Sequence, residues 1–338
     1  MTLEQSQCVT LLDYAERWRS SRRIGWSVET RRRVPGNLNN HIYPTFGLRP
    51  LQDITVTDVM EWLGTKLDNP MVARSSIKLY FDLLKTILNA AVVDRVRADN
   101  PCASIRLSAI LRGMSRAPKW VPSKDQVINL LKVVPDEYRA MIWLGAAQGM
   151  RLAEVFAMEE GSRCTDYFRR ELHVVQQLRH SLADHGGYFL AEPKNGSSGT
   201  IDLDLAVAEI LTAHIRRFPP TKHEVIDTTG SEPVRRPVRL LFTDKHGHPW
   251  DDTKWWKAWS PWRQAAGWPS GKRVATFHAL RHFFATTLIS NGVDPTEVQH
   301  ALRHASLRHT LDTYVHWLPR AAKTQSLVGA LLKTTASG

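Results

Sequence analysis

The sequence predicts a mainly α protein with a small antiparallel sheet, an α+β chain, on three observations. Apolar residues recur at helical spacing from about residue 9 to 100. A stretch from about 171 to 203 turns β-like, with IDLDL alternating apolar and polar residues. Beyond it helical periodicity resumes, broken by one loop and one short strand. At 338 residues and 43% apolar content the chain has room for two separate cores.

LLDYAERWRSS forms the first helix, and the run from SVETRRRV to NNHI the second, with Ser27 as its N-cap. VTDVMEWLGTKL starts after Thr55 or Thr57. The longer ARSSIKLYFDLLKTILNAAVVDRV carries a one-sided stripe of Ile77, Tyr80, Leu84, Ile87, Leu88 and Ala91, read as core packing. These four helices make a first domain over residues 1–107. Residues 108–124 contain Gly113, Pro118 and Pro122 among basic side chains without a sustained period, and read as an interdomain linker.

A second domain follows over 125–320. Ser123 caps KDQVINLLKVV, Pro135 opens the next helix, and Gly149 ends it before RLAEVFAME begins. ELHVVQQL, GYFLAEP and IDLDL are β-like, and Asn195-Gly196 between the last two signals a hairpin. DLAVAEILTAHIRRF is helical, about 218–238 reads as a loop rich in Pro, Thr and Arg, and LLFTD as a short strand. Residues 321–338 carry Leu327, Val328, Ala330, Leu331 and Leu332 at the spacing of a short amphipathic helix.

Composition narrows the function. Net charge is +12, and residues 1–124 hold 19 Lys and Arg against 11 Asp and Glu, a net +8 that leaves +4 for the rest. Such an excess favours a polyanionic partner, although a solvated basic face would produce it too. No apolar run reaches membrane-spanning length and the N-terminus lacks a signal pattern, so a cytoplasmic protein is expected. Three scattered cysteines, Cys8, Cys102 and Cys164, argue against a disulfide framework and a cysteine zinc site.

The chemistry concentrates in TFHALRHFFATTL and LRHASLRHTLDTYVH, residues 276–288 and 302–316. His278 and Arg281 stand three apart and share a helix face, where a guanidinium fork suits phosphate oxygens and an imidazole can move a proton. His304 and Tyr314 stand ten apart, which allows a turn between a helix carrying the histidine and one carrying the tyrosine. Arg151 follows a glycine-terminated helix and emerges near a helix N-terminus, with Glu154 on the same face. Lys194, beside the expected hairpin, is a long cation able to protonate an alkoxide leaving group. Each residue alone has a plainer reading: a surface ion pair, a solubilising lysine, core histidines, a packing tyrosine. Together they supply phosphate clamps, a proton donor, a proton acceptor and an oxygen nucleophile, with no metal or cofactor required.

On GMRLAEV, PKNG, HALRH and HASLRHTLDTY in this order, the chain resembles the tyrosine recombinases of the phage integrase family, from about residue 9 to 320. The resemblance implies a helical core-binding domain and a mixed catalytic domain of the DNA breaking-rejoining type, closing on duplex DNA as a C-shaped clamp. It implies that Arg151, Arg281 and His304 contact the scissile phosphate, Lys194 protonates the 5′ oxygen, His278 assists as acid or base, Tyr314 forms a 3′-phosphotyrosine and Glu154 supports them. It implies a homo-tetramer exchanging strands through a Holliday junction on core sites, possible accessory DNA-bending or directionality factors, nucleoid association, and a C-terminal helix docked on a neighbouring protomer. Two departures stand out. Arg303 occupies the position before the third-motif histidine where the family usually has glycine, adding a cation or crowding the turn. About ten residues precede the first helix, so an arm-site-binding domain is expected to be missing.

Six of the twelve tryptophans lie between Trp250 and Trp268. The spacing of Trp255, Trp259 and Trp262 fits core packing beneath the catalytic helices better than a base-stacking platform. Three other functional readings are weighed. A metal hydrolase would use the pairs His278/His282 and His300/His304, yet no HExxH or accompanying carboxylate is present. An inactive DNA-binding regulator conflicts with six competent catalytic positions. A type IB topoisomerase would share the tyrosine chemistry and relax DNA without exchanging partners.

Overall fold

The computed structural model describes residues 9–113, 120–271 and 274–314. The chain divides into two units, Met1–Pro118 and Lys119–Gly338. The expected C-terminal helix over 321–338 and the middle of the expected linker lie outside the described residues.

In the first unit, short-range side-chain caps set the helix starts. Helix α1 (Leu11–Arg22) is capped by Thr10 and α2 (Val28–Asn37) by Ser27, whose Oγ accepts the Thr30 N–H at 3.3 Å. Past Pro35 the chain widens into a π turn (Leu38–Ile42) and enters α3 (Tyr43–Phe46). Helix α4 (Val56–Leu67) begins at Thr55 with a reciprocal capping box to Asp58, bonds of 2.8 and 3.2 Å. Helix α5 (Arg74–Val93) buries Ile77, Phe81, Leu84, Ile87, Leu88 and Ala91, spaced three or four apart as one face requires. Tyr80 sits at the margin of that stripe, stacked on His41. Buried Arg97 donates to the Leu51 and Ile54 carbonyls, and α6 (Leu107–Ile110) closes the described part of the unit.

The second unit opens with α7 (Lys124–Val133), boxed by Ser123 and Gln126, and α8 (Asp136–Ala147) after Pro135. Gly149, at φ +60°, turns the chain into α9 (Leu152–Phe156). Strand β1 (Thr165–Asp166) pairs with β2 (Glu171–Val174), then come β3 (Gln177–Ser181), α10 (Leu182–His185), β4 (Gly187–Ala191), β5 (Gly199–Asp202), α11 (Leu205–Arg217), β6 (Thr221–Asp227) and β7 (Val234–Leu240). Helices α12 (Asp252–Ala265), α13 (His278–Ser290), α14 (Pro295–Leu302) and α15 (Leu307–Tyr314) complete the described chain.

The strands form two sheets, ordered β1-β2-β5 and β3-β4-β6-β7, antiparallel except for a short parallel pairing of β4 with β6. This corrects three expectations. ELHVVQQL is not one strand, because the chain leaves one sheet at Val174 and enters the other at Gln177, with Gln176 buried at the crossing and bonded to the Ala157 carbonyl. Asn195-Gly196 closes no hairpin, since β4 and β5 belong to different sheets and Lys194–Gly196 is a single 3-10 turn linking them. The expected loop at 218–238 is largely the β6–β7 hairpin, in which Pro237 faces Glu224. Proline lacks the N–H a central strand must donate, but β7 is the sheet edge, where that loss is tolerated. Arg236 of β7 is further held by Glu159 at 2.8 Å and Asp227 at 2.6 Å.

The tryptophan-rich segment is core. Trp250, Trp255, Trp259 and Trp268 are buried, Trp255 stacks on Trp259, and Trp259 Nε1 donates to the Ala275 carbonyl at 2.9 Å. Trp259 also packs edge-on against Phe277, the residue before α13, so the aromatic cluster supports the helix that carries the histidines and Arg281.

Candidate active site

Arg281 organises the site. It sits on the buried face of α13, 1% exposed, and its two terminal nitrogens donate to the carbonyls of Gly149 and Leu302. One side chain therefore binds the turn after α8 and the last residue of α14. Close packing makes this possible: a Cβ on Gly149 would lie 2.6 Å from Phe284 Cδ1, and φ is already positive, so glycine is required twice over. Burial lowers the Arg281 guanidinium below the usual arginine range, and the neighbouring Arg151 and Arg303 cations lower it further.

Glu154 binds two other arginines. Its carboxylate accepts Arg151 Nη1 at 2.7 Å, the Arg151 backbone N–H at 2.8 Å and Arg303 Nη2 at 2.7 Å. Arg151 Nη1 also donates to the buried Ser197 hydroxyl at 2.8 Å, which ties the turn bearing Lys194 to the start of α9. Arg303 resolves the departure from the expected glycine. It takes the left-handed conformation that glycine would, φ +52°, and turns its side chain inward to Glu154. Burial lowers its guanidinium too, while Glu154 opposes the shift. Three guanidiniums thus surround one carboxylate, an excess of positive charge in a poorly solvated place.

Tyr314 ends α15, 3% exposed among Ala285, Ile289, Val298 and Leu302. Its hydroxyl is hydrogen-bonded to His282 Nδ1 at 2.8 Å. Burial pushes the phenol up to about 12, with the Arg281 charge opposing.

Of the residues singled out in the sequence, Arg151, Glu154, Arg281 and Tyr314 gather here. His278 is exposed at the start of α13, with its ring edge-on to His282 at 4.7 Å. His304 is not on a helix. It follows the left-handed Arg303 between α14 and α15, bonded through Nδ1 to Thr310 Oγ1 at 2.8 Å and through its backbone to Gln299. Lys194 is exposed on its 3-10 turn, three residues from Ser197. Sequence reasoning missed Ser197, Thr310 and the place of His282, which it weighed only as half of a metal pair. The signal for His282 was present, since residue 282 lies one helical turn beyond 278. Among the described residues no three His, Cys, Asp or Glu side chains gather as a metal site, and no helix is long and apolar enough to cross a membrane.

Residues 122–320 match the model of the phage integrase family and residues 12–108 that of the phage integrase central domain. A prophage phiRv2 integrase of Mycobacterium tuberculosis is 26% identical over 305 residues, 87% of this chain and 71% of that protein. The tyrosine recombinase XerD of Staphylococcus aureus is 26% identical over 268 residues, 76% and 77% of the two chains. Among solved structures, the integrase of transposon Tn1549 in complex with transposon right-end DNA superposes with TM-score 0.75 at 20% identity, covering 97% of this chain and all of that one. A lambda integrase tetramer bound to a Holliday junction gives TM-score 0.68 at 17% identity, covering 94% and 81%.

Proposed function

Because this chain belongs to the phage integrase family and is a tyrosine site-specific recombinase, we propose that it cleaves and rejoins double-stranded DNA through a 3′-phosphotyrosyl intermediate on Tyr314. The observation that carries this reading is the convergence of Arg151, Arg281 and Arg303 beside a buried tyrosine, with Glu154 the one carboxylate among the described residues that pairs with them. A phosphodiester supplies the missing negative charge, and guanidinium forks match its oxygens.

In this mechanism Arg151, Arg281 and His304 hold the scissile phosphate while Glu154 fixes Arg151. The Tyr314 oxygen attacks phosphorus, the bond to the 5′ oxygen breaks, and Lys194 protonates the leaving oxygen, with His278 assisting as acid or base. The phosphotyrosine keeps the energy of the broken bond, so rejoining needs no ATP. Charge stabilisation comes from arginines, and cleavage undiminished by EDTA is expected. The first unit is assigned core-site binding and the second catalysis. Assembly as a tetramer acting through a Holliday junction is proposed from the likeness to the lambda integrase complex. Accessory DNA-bending or directionality factors and association with the nucleoid belong to the same proposal.

Tyr314→Phe on a nicked suicide substrate is the test. Binding to the core site is expected to persist while the covalent adduct disappears, and an adduct formed by the phenylalanine variant would refute Tyr314 as the nucleophile. Relaxation of plasmid DNA without exchange of partners would turn the reading toward a topoisomerase.

A further inference from the structure

An attacking tyrosine must lose its proton, and the structure points to a receiver other than the residues so far assigned to acid–base work. His278 lies at the exposed start of α13, its ring edge-on to His282 at 4.7 Å. One turn deeper, His282 is 7% exposed and its Nδ1 stands 2.8 Å from the Tyr314 hydroxyl. Building on the proposed nucleophilic role of Tyr314, we propose that His282 is a catalytic residue, the general base that accepts the phenolic proton as Tyr314 attacks.

The step balances. The lone pair of His282 Nδ1 takes the hydroxyl proton, the phenolic oxygen forms its bond to phosphorus, and the bond from phosphorus to the 5′ oxygen breaks. The departing oxygen takes a proton from Lys194. In rejoining, the neutral Lys194 amine takes the proton of the 5′ hydroxyl as that oxygen attacks phosphorus, the phosphotyrosyl bond breaks, and the imidazolium of His282 returns its proton to the phenol.

Two observations support the assignment. Burial holds the Tyr314 hydroxyl up to about 12, so the phenol is protonated at neutral pH and a base at hydrogen-bond distance is what the attack lacks. The same helix supplies both partners of the tyrosine, because residues 281 and 282 are adjacent: the Arg281 charge favours the phenolate while His282 takes the proton. Among the described residues, the charged or titratable groups beside the imidazole include Tyr314 from α15 and His278 from its own helix, ring edge-on at 4.7 Å, with the Arg281 charge acting on the phenol. As acceptor, His282 carries its proton on Nε2.

The test is single-turnover cleavage of a suicide substrate from about pH 5 to about pH 9 by the full chain, wild type against His282→Gln and His282→Ala. Glutamine can keep a hydrogen bond to the hydroxyl but cannot titrate. Expected is a fall in rate of about 100-fold or more for the glutamine variant, with the acid limb of the wild-type profile lost, and partial rescue of the alanine variant by free imidazole. Cleavage by the glutamine variant within about threefold of wild type, acid limb intact, would overturn the assignment, since a merely structural bond would leave the profile unmoved. Should the variants fold poorly by core-site binding and melting, nitrogen-15 histidine NMR of the wild-type protein decides: an unprotonated Nδ1 on His282 at neutral pH supports the base, and a protonated one refutes it. Tyr314→Phe is run alongside. Loss of the adduct there with unaltered His282 variants rejects this inference alone, whereas an adduct on phenylalanine rejects the reading beneath it.

Discussion

Replacing Arg303 with glycine restores the residue expected before the third-motif histidine, yet the structure predicts that it weakens the fold. The arginine sits in the left-handed region, where a side chain costs roughly 1 kcal/mol that glycine would recover. Against that gain, Glu154 and Arg303 form a buried pair with side chains 1% and 4% exposed. Removing one partner of such a pair costs roughly 3–5 kcal/mol. The lower end applies, because Glu154 keeps both the Arg151 guanidinium and the Arg151 backbone N–H. The difference is a loss of about 2 kcal/mol, which in a unit of this size lowers the melting temperature by roughly 4–8 °C. Arg303→Ala loses the pair without relieving the backbone and is expected roughly 1 kcal/mol below the glycine variant. Calorimetry of the three proteins, with urea unfolding at unchanged m-value, reads both differences. A glycine variant as stable as wild type, or alanine and glycine variants that melt together, would refute the reasoning.

Gly149→Ala places a methyl 2.6 Å from the Phe284 ring in a left-handed backbone and displaces the carbonyl that receives Arg281, so about 2 kcal/mol of stability and most cleavage activity are expected to be lost, as melting and suicide-substrate assays would show. Asp58 is held down to about 2, chiefly by the Thr55 N–H and hydroxyl and then by Arg49. Its folded value is depressed, so its stabilisation is present above the ordinary carboxylate value of 3.8 and lost as pH falls toward 2; Asp58→Asn should flatten acid unfolding of the first unit in that window. Burial pushes the Cys102 thiol up to about 12 and that of Cys164 to about 11, so in a Cys8→Ser protein a thiol reagent at neutral pH should label neither until denaturant is added.

Reading the sequence succeeded where the physics is local. Ser27, Thr55 and Ser123 each satisfy N–H groups within three residues, so the caps were visible in the chain itself. The Arg151–Glu154 contact was visible for the same reason, both groups lying on one turn. Sheet pairing was not. Whether GYFLAEP pairs with IDLDL or with TKHEVID depends on partners dozens of residues away, and Asn195-Gly196 suits a 3-10 turn as well as a hairpin. The inward reach of Arg303 is the extreme case: its carboxylate lies 149 positions earlier, and without the fold only its unusual place before His304 could be noticed. His282 illustrates a different failure. Its spacing from His278 was seen, but the periodic pattern names no partner, and the phenol arrives from α15.

The two bonds of Arg281 bear on how defects should be interpreted. A guanidinium that fastens the carboxyl ends of two helices is a rivet, whatever part it takes in the proposed chemistry. Shortening that side chain would slacken α8 against α14 before any DNA is engaged, so melting and binding would fall together with turnover. If Tyr314 is the nucleophile proposed above, trimming its hydroxyl is expected to leave the framework standing and to silence only the cut. Alleles at these two positions should therefore fall into different phenotypic classes even where both abolish recombination.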